Sequence, residues 1–107
     1  MKLQRGDVIL LRLEFHQTQG GKVRPAVVIL DTGDDDLVAA PVTSRPHFSA
    51  YDLPIQDWRL AGLNVPSFVR VHKLTVQSKS EVTRQLGRLT EPDRDLLAKV
   101  LAQAFHA

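Results

Sequence analysis

The sequence predicts a mostly β protein that ends in one helix, with its strands forming a small barrel-like sheet on which the helix packs. Two observations lead to this prediction. Short apolar segments alternate with turn-forming residues along most of the chain, and only the last segment repeats its apolar residues at helical spacing. The length of 107 residues suits a single domain, 1–107, whose modest stability a dimer interface would increase.

The first two strands are predicted at 8–15 and 26–30. Residues 8–15 are apolar-rich and alternate with charged residues near the end, which is typical of a strand with one solvated face. A glycine-containing loop is expected at 17–22. Residues 26–30 form a continuous apolar run, which favours a strand buried on both faces. Pro25 donates no backbone hydrogen bond, so we expect it at the start of this strand or at a sheet edge.

The later strands are predicted to be shorter. Residues 31–36 include Gly33 and four aspartates, which indicates a turn before a third strand at 37–43. We further expect short strands at 52–55, 68–72 and 82–89, and one helical turn at 58–63.

The C-terminal helix has the clearest pattern. Thr90 offers an N-cap hydroxyl, Asp93 follows three positions later, and Pro92 lies in the first turn, which together are typical of a helix start. Apolar residues then recur on one helical face, which we expect to pack on the sheet: Leu97, Val100, Leu101, Ala104 and Phe105.

The charge distribution is more informative than the net charge. A net charge of +2 is too small to identify a nucleic-acid-binding protein. Basic residues are concentrated between 70 and 88, whereas four aspartates lie in the turn at 31–36. This distribution predicts a positive surface and a distant negative turn. A solvated face without a binding role accounts for the same pattern.

Composition and motifs argue against several classes of protein. The chain has no cysteine, so it lacks disulfides and thiolate chemistry, which fits a reducing cytoplasm. We find no signal peptide and no apolar run near the roughly 20 residues that a membrane helix needs. The histidines are scattered, without a His-Glu-x-x-His string, and Gly20-Gly21 lacks the ending of a phosphate-binding P-loop. We therefore expect a cytoplasmic protein with no metal, no cofactor and no membrane partner.

Six local strings carry more information than the periodicity. They are Arg5-Gly6-Asp7-Val8, Lys22-Val23-Arg24-Pro25-Ala26-Val27-Val28, Ala40-Pro41-Val42-Thr43-Ser44, Ala61-Gly62-Leu63, Pro66-Ser67-Phe68-Val69-Arg70 and Leu86-Gly87-Arg88-Leu89. In order and spacing, these strings resemble the PemK/MazF family of toxin endoribonucleases. Each string is weak alone, but the ordered set covers nearly the whole chain.

The resemblance implies an SH3-like β-barrel that forms homodimers and cleaves single-stranded RNA without a metal. It also implies a cognate antitoxin, whose acidic segment covers the active site. The family's catalytic arginine corresponds to Arg24 in the Arg-Pro string. Its catalytic hydroxyl corresponds to Thr43 at the end of the third strand, with Ser44 beside it.

These residue types suit RNA cleavage. When the 2′-hydroxyl of RNA attacks the adjacent phosphate, negative charge grows on the phosphoryl oxygens and two protons must move. Arginine presents a permanently charged fork that matches two phosphate oxygens, and a threonine hydroxyl adds a donor. Other roles stay open from the residues alone. Arg24 is also a suitable ion-pair partner for Asp7 or Glu14, and Thr43 is also suited to bonding the backbone at a strand end.

The general base and general acid are not determined by the sequence. His16 and His47 both lie in loops near the expected site, and histidine titrates near neutral pH, as proton transfer requires. Lone histidines in loops are more often surface residues without a function. For RNA binding we expect four basic residues: Lys22, Arg45, Arg70 and Lys73.

One stretch departs from the family pattern. Family members often carry Arg-Thr-φ-Asp, φ being apolar, after the fifth strand, whereas residues 74–79 lack the arginine and the acidic residue. Two alternative functions stay open, and the altered stretch favours the second. One is a toxin of the same fold that binds and inhibits a partner such as DNA gyrase. The other is a degenerate member that only binds RNA or its antitoxin.

Overall fold

The computed structural model of the chain describes residues 2–13 and 22–106. Its β-strands are β1 (Asp7–Leu13), β2 (Lys22–Leu30), β3 (Asp36–Thr43), β4 (Asp52–Pro54), β5 (Phe68–Arg70), β6 (Thr75–Ser78) and β7 (Val82–Arg88). A 3₁₀ turn, Lys79–Glu81, precedes β7, and the helix α1 (Glu91–Phe105) follows it. No helix in these two segments is long and apolar enough to cross a bilayer.

The strands form an antiparallel sheet in the order β4-β5-β3-β2-β1-β7, and β6 pairs with β3 beside this path. The predicted mostly β fold with one C-terminal helix is therefore confirmed. The strand predicted at 37–43 corresponds to β3 and the strand predicted at 82–89 corresponds to β7, each within one residue at either end.

The sheet buries apolar side chains on both faces. Along β2, Val27 and Ile29 belong to one core cluster, whereas Ala26 and Val28 belong to a second. Because β2 has a neighbouring strand on each side and apolar side chains on both faces, its residues 26–30 are continuously apolar, as predicted. Leu97 of α1 is fully buried in the first cluster, so the helix covers that face.

The apolar face of α1 packs over only part of its length. Val100 and Leu101 contact the first cluster, as predicted. Phe105 is the last residue of the helix and remains 59% exposed. The packing prediction is therefore right for the middle of the helix and wrong for Phe105.

A turn at 56–62 bridges the two outer strands of the sheet. Within the described residues, β4 and β7 do not pair with each other. Instead, an added Cβ at Gly62 would lie 2.2 Å from Leu86 O, and one at Gly87 would lie 2.4 Å from Ala61 O. The two backbones are therefore in direct contact, which only glycine permits. This contact joins two of the strings found in the sequence and makes the sheet barrel-like.

Asp93 fastens the same turn to the start of α1. Its carboxylate is fully buried and accepts hydrogen bonds from Gln56 N at 3.1 Å and Asp57 N at 2.9 Å. Thr90 is the N-cap residue, as predicted, but its hydroxyl makes no capping bond to the helix. It donates to Asp57 Oδ2 at 2.9 Å instead. The capping string therefore connects α1 to the turn.

The local predictions for the turn at 56–62 and for Pro25 differ from the structure. Residues 56–62 form consecutive hydrogen-bonded turns without a helix, where one helical turn was expected at 58–63. β2 starts at Lys22, so Pro25 lies inside the strand and not at its start. Pairing between β2 and β3 begins at Ala26, so the described ladder requires no donor from Pro25 on that side.

The predicted separation of positive and negative surfaces is wrong. Lys79 Nζ lies 2.7 Å from Asp31 Oδ1, and β6 pairs with the start of β3 immediately after the acidic turn. Asp31 also accepts hydrogen bonds from Leu3 N and Gly33 N. The hydrogen bond from Lys79, followed by those from the two N–H groups, lowers the pKa of Asp31 to about 2.

This ionised carboxylate should make stability depend on pH in the acid range. The pKa of Asp31 falls from 3.8 to about 2 on folding, so its stabilising effect is complete above the higher value and is lost as the pH falls through the lower. In urea unfolding at a series of pH values, the free-energy gap between the wild type and Asp31→Asn should be constant near neutrality and narrow as the pH approaches 2. Asp95→Asn, at an exposed site on α1, is the control. A gap that persists undiminished at low pH would contradict the assignment.

Candidate active site

A cavity of ≈ 840 Å³ opens where the start of β2 meets the end of β3. Arg24 from β2 and Thr43 from β3 both line it, together with Ser44 and Arg45. The strand pairing explains this, because Ala26 lies opposite Pro41 in the antiparallel ladder. Arg24 and Thr43 each lie two residues beyond this last pair, at the same end of the ladder. The cavity therefore brings together four of the residues singled out in the sequence.

The floor of the cavity is a row of residues across three strands. Leu10 of β1 lies opposite Pro25 of β2 on one side and opposite Arg84 of β7 on the other. Directly opposed residues in antiparallel strands share a face of the sheet, and all three line the cavity. The floor is therefore apolar at its centre and cationic at the β7 side.

One wall of the cavity begins at the end of the turn at 56–62. Residues 62–65 and Ser67 line the cavity. The contact between Gly62 and Leu86 O holds the first of these residues against β7. Ser67 is buried and its Oγ donates to Val65 O at 2.8 Å, which fixes the far end of the segment. The wall is thus positioned from both ends.

The cavity is electropositive. Arg24, Arg45 and Arg84 line it, and none of its described lining residues is a carboxylate. All three arginines are exposed. The ion pairs between described residues use other cations, namely Arg70, Lys79 and Arg88. An anionic ligand would therefore encounter three guanidinium groups without a competing carboxylate on the described wall.

The alternative role of Arg24 as the partner of Asp7 does not match the structure. Asp7 is buried, accepts a hydrogen bond from Gln4 N at 2.8 Å and lies 3.7 Å from Arg88 Nε. Glu14, the other suggested partner, lies outside the described residues.

The hydroxyl of Thr43 can accept one hydrogen bond and still donate another. Its Oγ1 accepts a hydrogen bond from Arg45 N at 3.1 Å, which is the strand-end role anticipated from the sequence. A hydroxyl also donates one hydrogen bond. The backbone bond therefore orients the oxygen while its hydrogen is free to point towards a ligand oxygen in the cavity.

A comparison of the sequence with models of known protein families identifies the family of this chain. The family model described as PemK-like, MazF-like toxin of type II toxin-antitoxin system matches residues 4–105. The chain belongs to this toxin family. The resemblance noted from the sequence strings is thereby confirmed. A search of curated proteins finds no match.

Solved structures of MazF toxins share the fold of this PemK-like, MazF-like chain. Mycobacterium tuberculosis toxin MazF-mt6 superposes with a TM-score of 0.77 and 22% identity, over 92% of this chain and 95% of the other. A mycobacterial endoribonuclease in complex with its cognate antitoxin gives 0.76 and 17% identity, over 96% and 94%. MazF from Deinococcus radiodurans gives 0.67 and 20%, over 97% of each chain.

The other described site residues predicted from the sequence do not line the cavity. His47 is half-buried and Lys22 and Lys73 are exposed, but none of the three is part of the lining. His16 lies outside the described residues. The roles of these four in proton transfer or RNA binding stay predictions.

Arg70 has a structural partner in the PemK-like fold. Its Nε donates to Asp52 Oδ1 at 3.0 Å, and the hydroxyl of Ser49 donates to Asp52 Oδ2 at 2.6 Å. Burial raises the pKa of Asp52, but the hydrogen bonds from Ser49 and Arg70 outweigh it and hold that pKa below its ordinary value. Arg70 therefore stabilises a buried carboxylate away from the cavity lining, which leaves less of its charge for RNA than the sequence suggested.

Two kinds of lining residue in this toxin were missed in the sequence. Arg84 lay in a strand whose pairing was unknown, and its only signal was the local excess of basic residues. Ser67 lies within one of the family strings and Asn64 follows directly after another, so membership of those strings or proximity to them was the available signal. Among the residues that the structure describes, no three histidine, aspartate or glutamate side chains are grouped to hold a metal ion.

Proposed function

We propose that this toxin-family member is an endoribonuclease that cleaves single-stranded RNA by attack of the 2′-hydroxyl, without a metal. The observation that carries the proposal is that Arg24 and Thr43 line one electropositive cavity. We also propose that it acts in the cytoplasm as a homodimer and is neutralised by a cognate antitoxin. The structural neighbour that is an endoribonuclease bound to its cognate antitoxin supports the activity and the partner.

Arg24 supplies the main stabilisation of the transition state. As the 2′-oxygen attacks, the phosphoryl group gains negative charge on its non-bridging oxygens. A guanidinium that donates two parallel hydrogen bonds to these oxygens binds the transition state more strongly than the substrate. A single preorganised donor of this kind lowers the barrier by roughly 3 kcal/mol.

Thr43 adds a second donor at the same phosphate. Its oxygen is oriented by Arg45 N, so the hydroxyl hydrogen needs little reorganisation to reach a phosphoryl oxygen. One proton leaves the attacking 2′-hydroxyl and one reaches the departing 5′-oxygen. We propose that His16, His47 or a water molecule moves these protons.

The stretch at 74–79, which departs from the family pattern, supplies none of the described residues that line the cavity. Residues 75–78 form β6, which pairs with β3 through Leu37–Gln77 and neighbouring pairs. None of these residues lines the cavity. The substituted stretch therefore gives no reason to expect an inactive site.

Incubation of the purified protein with single-stranded RNA tests the proposal. We expect cleavage in excess chelator, a 2′,3′-cyclic phosphate on the upstream product, and no cleavage of a substrate with a 2′-deoxy sugar at the mapped cut site. Intact RNA would contradict the proposal, and inhibition of DNA gyrase by the same preparation would then favour a non-catalytic toxin. Cleavage of the 2′-deoxy substrate would rule out the 2′-hydroxyl mechanism.

A further inference from the structure

The pairing of β7 with β1 is irregular around Arg84. The pairing of β1 with β7 shifts register twice, between Val8 and Ile9 and between Leu10 and Leu11. These bulges lie on either side of the pair between Leu10 and Arg84, and Thr83 Oγ1 donates to Leu10 O at 3.2 Å beside it. Bulges re-aim side chains and are over-represented next to active sites. This local irregularity accompanies Arg84 at the cavity floor.

Arg84 differs from its basic neighbours because it forms no ion pair with a described residue. Arg70, Lys79 and Arg88 in the same basic segment each pair with a buried or mostly buried carboxylate. Arg84 is exposed and takes part in none of the ion pairs between described residues. A cation that lines a cavity without a carboxylate partner there is well placed to bind an anion.

The distance between Arg84 and Arg24 bears on which anion the cavity binds. β1 lies between β2 and β7, so two strand spacings place the backbones of Arg24 and Arg84 roughly 10 Å apart. Both arginines line the same cavity, and the apolar residues Leu10 and Pro25 also belong to its lining. The cavity thus offers two cations and an apolar surface to one ligand. A nucleic acid strand, which repeats phosphate and nucleoside, matches this combination.

We propose that Arg84 binds a phosphate of the RNA next to the scissile phosphate and thereby positions the substrate on Arg24. Which phosphate is scissile rests on the proposed function, but the binding of an RNA phosphate by Arg84 does not require cleavage. Arg84 contributes affinity and register, whereas Arg24 acts on the reacting phosphate.

Binding and kinetics of Arg84→Gln test this inference. The probe is a fluorescent 2′-O-methyl RNA oligonucleotide, which cannot be cleaved by 2′-hydroxyl attack. The slope of log affinity against log salt should become shallower by about 0.7 relative to the wild type, as expected for one lost phosphate contact on a single strand. With cleavable RNA, KM should rise about tenfold while kcat stays within twofold of the wild type, roughly the loss of one charged contact. Lys99→Gln, an exposed cation on α1, is the control and should change neither quantity.

A neutral methylphosphonate at the phosphate flanking the cut site adds a second test. It should weaken binding to the wild type and leave the affinity of Arg84→Gln unchanged. An unchanged salt slope in Arg84→Gln, or a loss of kcat without a loss of binding, overturns the inference. If the wild type binds the oligonucleotide with the predicted difference in slope but cuts no RNA, the proposed function fails and the phosphate site stands. If the wild type does not bind the oligonucleotide, the inference fails.

Discussion

Replacement of Arg24 with alanine should abolish RNA cleavage and leave the fold intact. The guanidinium is exposed at the start of β2 and lines the cavity, so its removal leaves no buried partner unsatisfied. We expect a loss of at least about 100-fold in kcat, because a preorganised donor to the reacting phosphate is worth that much in comparable sites. Initial rates on a defined RNA, together with thermal unfolding of the variant, measure both parts of the expectation.

The companion variants separate charge from geometry. Arg24→Lys retains a positive charge but lacks the planar fork, so it should recover only a small part of the activity. Thr43→Val removes the hydroxyl, and its effect should be much smaller when Arg24 is already alanine, since residues that act as a unit are not additive. Arg24→Ala, at an exposed position, should alter stability by less than about 0.5 kcal/mol. Wild-type rates in Arg24→Ala would show that the chemistry lies elsewhere.

The chemical groups of this site could be predicted from the sequence better than their arrangement in space. Arg24 and Thr43 were recognisable because each belongs to a string that resembles the toxin family. Their proximity depends on a single register, Ala26 opposite Pro41, which no local pattern encodes. Arg84 shows the same limit more strongly, because its place beside Leu10 depends on pairing between the first and last strands.

The ion pairs and the strand β6 also could not be predicted from the sequence. The pairs formed by Asp31 with Lys79 and by Asp52 with Arg70 are made across the fold, so a count of basic residues overstated the free positive surface. β6 was missed because its only apolar residue, Val76, is 69% exposed and no alternation marks the strand. Such a strand is held by backbone pairing to β3, and its side chains give little signal.

Substitution of either glycine at the contact between the turn and β7 should be severely destabilising. An alanine at Gly62 would have a backbone φ of +91° and a Cβ 2.2 Å from Leu86 O. An alanine at Gly87 would meet Ala61 O at 2.4 Å without the unfavourable φ. Since backbone atoms on both sides must move, we expect each variant to lose about 3 kcal/mol or more, which lowers Tm by roughly 10 °C or more.

Gly33→Ala provides the matched control for the backbone conformation. Gly33 has a φ of +89°, and an added Cβ there would meet no atom within 4 Å. It should therefore show only the cost of a left-handed backbone, about 1–2 kcal/mol. Gly87→Ala shows the cost of contact alone, and Gly62→Ala combines the two. Equal losses in Gly33→Ala and Gly62→Ala would mean that the contact with Leu86 contributes nothing.

The same contact links stability to the site. Gly62 begins the wall that continues through Val65, and β7 carries Arg84 on the floor opposite. A Cβ at Gly87 would push Ala61 and Gly62 away from β7 and widen the cavity between wall and floor. At a temperature where Gly87→Ala remains folded, its KM for RNA should therefore rise, whereas Gly33→Ala at the same folded fraction should bind as the wild type does. An unchanged KM in folded Gly87→Ala would mean that the wall does not shape the bound RNA.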